Sequence, residues 1–458
     1  MPRSNGGTSS TSARLRNASS PSVGSEPRAR RSSTRPSARG IGLILVGVAC
    51  TVVAYVTGRS ELLYATGLLL LLPTCGFLIV RLRPLRLTVT RSFTPPVVTA
   101  GRPTVVELEI HNAAGAASPA ATWTDRIPWY PHNAGPGFLP VMPPGGAARP
   151  TKESRLGYSL RPSVRGVYDI GPLDVSYSDP FGMAVGRLTA GGSQSLYVIP
   201  VVIPLGESVS LAVSGEGAAR LIQHMAIGND DDLMTREYRT GDALRRVHWR
   251  ASARHGQLMV RQEEQRSYPE ARLILDTRAD GYSTQPLGTG QPAAESVEDS
   301  DARFEWAITM IASIGVHLHR SGFLVQVLET GPRQIAPLGD ANQGSGQDIE
   351  FLLSLAGVER TRPRPTVGED TEERALGALG PIFAVIANPP DESLNWIAAH
   401  RRPYEPGVAF VINTGNPGVV ETMKAAGWIC VLVDEDSDPA LAWSGVSTVT
   451  EQAPTSER

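Results

Sequence analysis

Two uncharged apolar runs, Ile41–Thr57 and Leu62–Val80, constrain this chain more than any other feature. At about 1.5 Å of rise per residue each spans about 25–29 Å, close to the hydrocarbon core of a bilayer. Neither run has the polar face that a helix of a soluble core keeps. They predict a transmembrane helical hairpin over residues 40–80, turning at Gly58-Arg59-Ser60-Glu61. Arg35 and Arg39 precede the hairpin, and Arg81, Arg83 and Arg86 follow it. The positive-inside rule then puts both outer ends in the cytosol. A second span follows at once and no small-residue cleavage pattern intervenes, so the first run does not read as a cleavable signal. The expectation is a multi-pass protein of the cell inner (cytoplasmic) membrane, with its N-terminus and large C-terminal portion cytosolic and the lipid bilayer as a partner.

A chain of 458 residues is long enough for two or three cores. The formal net charge is −2, so any basic function must be local. Cys50, Cys75 and Cys430 are the only cysteines, and two of them lie in the apolar runs; this excludes a disulfide framework or a cysteine-built zinc site. Residues 1–39 are rich in Ser, Arg, Pro and Gly with Glu26 as the single acid, and read as a disordered basic tail.

From Leu87 to about residue 205 the pattern has period two. Val105, Glu107, Glu109 and His111 alternate with Val106, Leu108 and Ile110, as in a half-buried strand. Similar runs at 86–93, 155–160, 166–170, 173–177 and 195–200, punctuated by Pro and Gly, predict a cytosolic, Ig-like β-sandwich over 87–205. Arg165-Gly166-Val167-Tyr168 and Asp179-Pro180-Phe181-Gly182 read as turn chemistry, with Phe181 filling the core. Trp123, Trp129 and Tyr130 read as packing residues.

After residue 266 strands and helices alternate. Largely continuous apolar runs at 271–276, 323–329, 382–387, 408–412 and 428–433 fit a parallel sheet covered on both faces. Helices fit 301–320, 347–356, 391–401 and 417–426. The reading is a doubly wound α/β domain over 267–436 with a flexible C-terminal tail at 437–458. No nucleophile elbow, phosphate loop or HExxH motif occurs, and Gly288-Thr289-Gly290 falls in an insertion rather than between strand and helix. His317 and His319 close a helix as His-x-His, point apart, and read as solvated or dipole-complementing.

Between these regions lies a segment, 216–266, with dense arginines around one tryptophan. Gly241-Asp242 predicts a helix start, with Asp242 as N-cap, and Gly256 a stop. Helical spacing puts Leu244, Val247, His248 and Ala251 on a burying face, and Arg246, Trp249, Arg250 and Ala253 on the other. Asp230-Asp231-Asp232 just upstream can neutralise the arginines. Three readings stand: structural pairing of Arg236, Arg245 and Arg254 with acids such as Glu237 and Asp242; a protein-docking surface, for which Trp and Arg are favoured; or binding of nucleic acid or anionic lipid. No nucleic-acid-binding fold is evident, so no specific nucleic acid is expected.

The run Arg236-Glu237-Tyr238, Gly241-Asp242, Arg245, Trp249, Ala253-Arg254, Gly256, Leu258 and Val260-Arg261 resembles the signature of the bacterial "domain of unknown function 58" proteins. That resemblance implies a von Willebrand A-like domain at 267–436. It also implies work beside a MoxR-type AAA ATPase, as a non-enzymatic adaptor or assembly factor for other membrane proteins, often near a transglutaminase-like one. The partner-binding residues would be Arg236, Tyr238, Asp242, Arg245, Arg246, Trp249, Arg250 and Arg254.

Von Willebrand A domains that bind a divalent ion carry Asp-x-Ser-x-Ser at the tip of their first strand, whereas this chain has Asp276-Thr277-Arg278-Ala279-Asp280. Asp276 and Asp280 are the candidate ligands of a degenerate Mg²⁺ site. An arginine about 4 Å from a divalent ion would cost about 8 kcal/mol at an effective dielectric near 20. Asn388-Pro389-Pro390 stands where the family pattern usually offers an acidic ligand. Pairing of Arg278 with Asp276 or Asp280 is the alternative, and no resident cofactor is then expected. A metal-dependent binding or hydrolytic protein centred on Asp276 is the rival to the adaptor reading.

Overall fold

The structure, a computed structural model, describes residues 32–129, 137–145, 154–206, 235–239, 247–261, 269–282, 296–335, 346–361, 379–402, 404–412 and 416–452. The chain divides into two compact units, one drawn from residues 1–92, 107–157 and 169–194, the other from 93–106, 158–168 and 195–458.

The first unit holds β1 (Ser32–Pro36), α1 (Ala38–Thr57) and α2 (Glu61–Leu82). The two helices are long and apolar enough to cross a membrane. Their outward side chains are apolar and bare: Leu45, Val52, Val56, Leu68 and Leu71 are each at least 57% exposed. Thr66 Oγ1 is buried without a partner among the described residues, but the hydroxyls of Thr51, Thr57 and Thr74 are satisfied within the helices, donating to Gly47 O, Val53 O and Leu70 O. That is the arrangement a hydrocarbon solvent requires. Tyr55 and Tyr64, near the connector, are 90% and 83% exposed, as aromatics at a bilayer interface are.

Strand β1 corrects the expectation of a disordered tail through residue 39. It pairs antiparallel with a strand at Ala184–Ala190, Ser32 opposite Leu188 and Pro36 opposite Ala184. Ser-Ser-Thr-Arg-Pro carries no apolar pattern, so only backbone pairing at a sheet edge makes it a strand, and composition does not register that.

The strands of this region follow the alternation in the sequence. They are β2 (Leu87–Thr94), β3 (Val97–Thr99), β4 (Thr104–Asn112), β5 (Ala121–Asp125), β6 (Gly137–Leu139), β7 (Ser154–Leu160), β8 (Gly166–Ile170), β9 (Leu173–Ser178), β10 (Ala184–Ala190) and β11 (Gln194–Ile199). One five-stranded sheet runs β1-β10-β9-β5-β6, and two three-stranded sheets run β2-β4-β7 and β3-β11-β8. Most pair antiparallel, and β3 pairs parallel with β11. In β4, Val106, Leu108 and Ile110 are fully buried while Val105 is 43% exposed. Arg91 and Asp125 form a buried bidentate ion pair at 2.7 and 3.1 Å. Trp123 is buried as expected. Phe181 is not: it is 54% exposed, and the buried residue of its turn is Asp179, which accepts from Phe181 N and Ala184 N. The carboxylate closes this turn, leaving the ring outside.

Beyond residue 206 the described chain resumes with β12 (Thr235–Glu237), α3 (Trp249–His255) and β13 (Met259–Arg261). A five-stranded parallel sheet follows, with β14 (Glu270–Leu275), β15 (Leu324–Glu329), β16 (Leu379–Ile386), β17 (Gly407–Ile412) and β18 (Ile429–Val433) in the order β15-β14-β16-β17-β18. Helices α4 (Ser296–Arg320), α5 (Gln347–Ala356) and α8 (Pro439–Gln452) build the core on one face, and α6 (Asp391–Ala399) and α7 (Pro417–Ala425) on the other. Every residue of β17 is buried, the signature of a central parallel strand covered on both sides.

Helix α8 corrects the expected flexible tail over 437–458. Trp443 is 1% exposed, stacks at 5.3 Å on Phe383 and donates from Nε1 to Gly206 O. Asp438 caps the helix through Ala440 N, and Pro439 follows as its first residue, a start signal present in the sequence.

Candidate functional site

In a doubly wound sheet, ligands meet the crevice outside the strand C-termini where the strand order reverses. Here the first strand of the sheet, β14, lies between the second and third, so that point is the gap between the ends of β14 and β16. Asp276 leaves β14 there and Asn388 leaves β16.

Asp276 is fully buried. Its Oδ1 accepts from Thr330 Oγ1 at 2.6 Å and from Arg278 N at 3.2 Å. Oδ2 has no hydrogen-bond partner among the described residues. It lies under Gly281, where a Cβ would come within 2.6 Å of it, so the backbone of that turn covers the carboxylate. Burial, opposed by these two hydrogen bonds, pushes the Asp276 carboxyl up to about 6. Tyr282 closes the turn by donating to Asp276 O at 2.7 Å.

Arg278 is 7% exposed and reaches sideways, Nη1 donating to Ser393 Oγ at 3.2 Å and Nη2 to Asp280 Oδ2 at 3.4 Å. Of the pairings foreseen, the one with Asp280 forms. Its backbone bridges to Thr361. Asn388 Oδ1 accepts from Asn416. This donor set does not fit a hard divalent ion, which takes six or more oxygens with carboxylate charge among them. Asp276 has one oxygen to offer beneath a backbone lid, and Asp280 already faces a guanidinium.

The signature segment is built differently. Strand β12 pairs antiparallel with β13, Arg236 opposite Val260, and Val247 bridges to Val260. Val247, Met259 and Val260 are buried. The helix that carries Trp249 starts at that residue: Val247 sits in a β-bridge, and His248 is the cap, its Nδ1 accepting from Ala251 N at 3.1 Å. Val247 and His248 therefore do not belong to a helical face. Gly256 ends the helix in the left-handed region, φ 71°, as the sequence foretold. Ser252 Oγ ties the helix to β13, accepting from Met259 N at 2.8 Å.

Trp249 is 69% exposed on this short helix. Arg250 and Arg254 are exposed beside it, and among the described residues their side chains have no hydrogen-bond or ion-pair partner. Tyr238 is half-buried, its N–H donating to Leu258 O, and Arg236 is placed by its strand pairing. Asp242, Arg245 and Arg246, with the Asp230–Asp232 run, lie outside the described residues.

Two further sites depart from the readings as turn chemistry and as solvated histidine. Arg165 is 7% exposed: it pairs with Glu305, donates to Leu355 O at 3.0 Å and Val358 O at 2.7 Å, and lies 5.2 Å from the Phe304 ring. It thus satisfies the carbonyl end of α5, a task beyond turn chemistry and visible in the sequence only as an arginine before Gly166. His319 is not solvated: burial lowers its pKa against the opposing pull of Asp348 at 3.3 Å, and its ring packs on Phe351. His317 packs on Trp443 at 5.5 Å.

No curated protein matches the chain. Among solved structures, the CARDB domain of a Pyrococcus furiosus protein, described in complex with di-metal ions, is 20% identical over 26% of this chain and 89% of its own, with a TM-score of 0.19. A superoxide reductase (neelaredoxin) from Ignicoccus hospitalis is 15% identical over 26% and 85%, TM-score 0.14. A cycloisomaltooligosaccharide glucanotransferase from Paenibacillus sp. is 11% identical over 75% and 53%, TM-score 0.17. Similarity at this level carries no functional argument. Residues 234–291, the segment around the exposed tryptophan, match the profile of the family described as "Protein of unknown function DUF58".

Proposed function

We propose that the chain is a membrane-anchored, non-enzymatic adaptor that docks a MoxR-type AAA ATPase through the signature helix. The observation that carries the reading is Trp249, a large aromatic left 69% exposed beside Arg250 and Arg254, whose guanidiniums have no partner among the described residues, in the segment that matches the family profile. Tryptophan and arginine are the types that dominate binding hot spots. An exposed indole held on a capped helix by Ser252 is already ordered, which lowers the entropic cost of docking.

Anchoring is supported by the bare apolar surface of α1 and α2. That β1 pairs with β10 supports placing both outer ends of the hairpin on one side of the bilayer, because the strands lie on opposite sides of the hairpin in sequence. The arginines at 35, 39, 81, 83 and 86 favour the cytosol as that side. Within this reading, residues 87–205 form an Ig-like sandwich and 267–436 a von Willebrand A-like domain whose ion site has decayed to the Arg278–Asp280 pair. The metal-dependent alternative centred on Asp276 and Asp280 is not favoured by that pair, and no described observation favours nucleic acid.

Native capture in mild detergent tests the proposal, with the full chain as bait beside a Trp249→Ala, Arg250→Ala variant. The ATPase should copurify with the wild type and be lost from the variant. Identical partners for both would assign the segment a structural role only.

A further inference from the structure

We propose that a cavity at the inner end of α2 is a binding site for an anionic phospholipid. The inference rests on the anchoring part of the reading above and adds a ligand to it. The cavity, of about 810 Å³, is lined by Ile79, Leu82, Arg83 and Arg86 from the helix exit and by the small residues of 114–120. Its size is that of a small-molecule site.

The position of the cavity relative to a bilayer follows from contacts within the same unit. The turn at 179–183 is wedged between the two helices: Ser37 N donates to Met183 O at 2.8 Å and Ser37 Oγ to Gly182 O at 2.6 Å. A Cβ on Gly40 would fall 2.2 Å from Met183 O, and one on Gly76 would fall 3.0 Å from the Asp179 carboxylate. Glycine is what lets the turn come this close. The lipid-facing stretches therefore end near Ile41 and Cys75, giving lengths of about 25 and 22 Å. Both fall short of the roughly 30 Å hydrocarbon core, so the sheet unit rests against the headgroups rather than standing off from them. Phe181, exposed at the tip of that turn, suits the same interface.

The chemistry of the cavity matches a lipid at that depth. Arg83 and Arg86 are exposed, and among the described residues neither side chain has a hydrogen-bond or ion-pair partner. Asp179, also in the wall, is committed to the backbone N–H groups of Phe181 and Ala184. Two arginines thus line the space, the residue type that favours phosphate. Leu78, Ile79 and Leu82 are 49%, 39% and 68% exposed on the adjoining helix surface, an apolar flank for the glycerol end of the lipid. The opposite wall is held in place without a ligand: Asn112 Nδ2 donates to Ala116 O and Pro143 O, its Oδ1 accepts from Ala114 N, and Ala113 N donates to Arg86 O.

The test uses the full chain in nanodiscs of phosphatidylcholine with or without phosphatidylglycerol, followed by detergent extraction and native mass spectrometry. The wild type should retain phosphatidylglycerol in preference to phosphatidylcholine. An Arg83→Gln, Arg86→Gln variant should retain roughly 25-fold less, about five-fold per arginine. Ala117→Trp, which fills the cavity and keeps the charge, should lose it as well, and Arg59→Gln at the far connector should not. Equal retention by the wild type and both cavity variants overturns the site. Full displacement by excess inorganic phosphate overturns the lipid as its ligand. A chain that does not enter either nanodisc overturns the anchoring, a result separate from entry without selective retention.

Discussion

Replacing Asp276 by Asn should stabilise the protein, and by an amount that depends on pH. Asp276 is fully buried, with Oδ1 satisfied and Oδ2 lacking a partner among the described residues. Its carboxyl is raised from 3.8 to about 6, which at about 1.36 kcal/mol per pH unit makes the ionised form about 3 kcal/mol unfavourable in the fold. The sign follows from linkage: a carboxyl raised on folding adds stability while it is protonated, below the unfolded value, and that stability is lost as pH rises through the folded value. Asparagine keeps the acceptor for Thr330 and Arg278 N and removes the charge. The variant should therefore exceed the wild type by about 3 kcal/mol above pH 7, by about half of that near pH 5, and by little near pH 4. In thermal melts of the full chain in detergent this is a gain of roughly 5–10 °C at neutral pH. A variant less stable by the same margin at every pH would refute the argument, because the carboxylate would then be an asset. So would a wild type stabilised by Mg²⁺ while the variant is not, since an ion would be holding Oδ2.

Other substitutions follow the same reasoning. Arg165→Met leaves the carbonyls of Leu355 and Val358 and the Glu305 carboxylate without their partner, and should cost about 3–5 kcal/mol in denaturant unfolding. Asp125→Ala strands the buried Arg91 guanidinium and should cost a similar 3–5 kcal/mol. Trp443→Ala opens the core beneath Phe383 and should cost about 3–5 kcal/mol, whereas a flexible tail would show no loss. Trp249→Ala, at an exposed position, should change stability by no more than about 0.5 kcal/mol.

The sequence displays the parts of the fold that rest on patterned burial. The alternation at 105–111 marks β4, and the unbroken apolar run at 408–412 marks the fully buried β17. Elements held by something other than patterned burial escaped it. Strand β1 exists through backbone pairing alone, and helix α8 through a short buried set, Ala442, Trp443 and Val446, and an Asp-Pro start. Val247 and His248 fall outside the signature helix, which begins at Trp249, because Val247 finds a bridge partner in Val260. At the end of β14 the sequence left open whether Arg278 pairs with Asp276 or Asp280, and the choice of Asp280 needed three dimensions. Arg165 was read as part of a turn because its partners lie 140 or more residues away.

The central claim is that the exposed signature helix is where a partner docks. Its most direct test is equilibrium binding of the purified full chain, in detergent or nanodiscs, to the MoxR-type ATPase of the same cells, with and without Trp249→Ala. The account predicts binding that weakens at least ten-fold in the variant, about 1.4 kcal/mol or more, while the melting temperature stays put. Equal affinity for both forms, or no binding by the wild type, would contradict it.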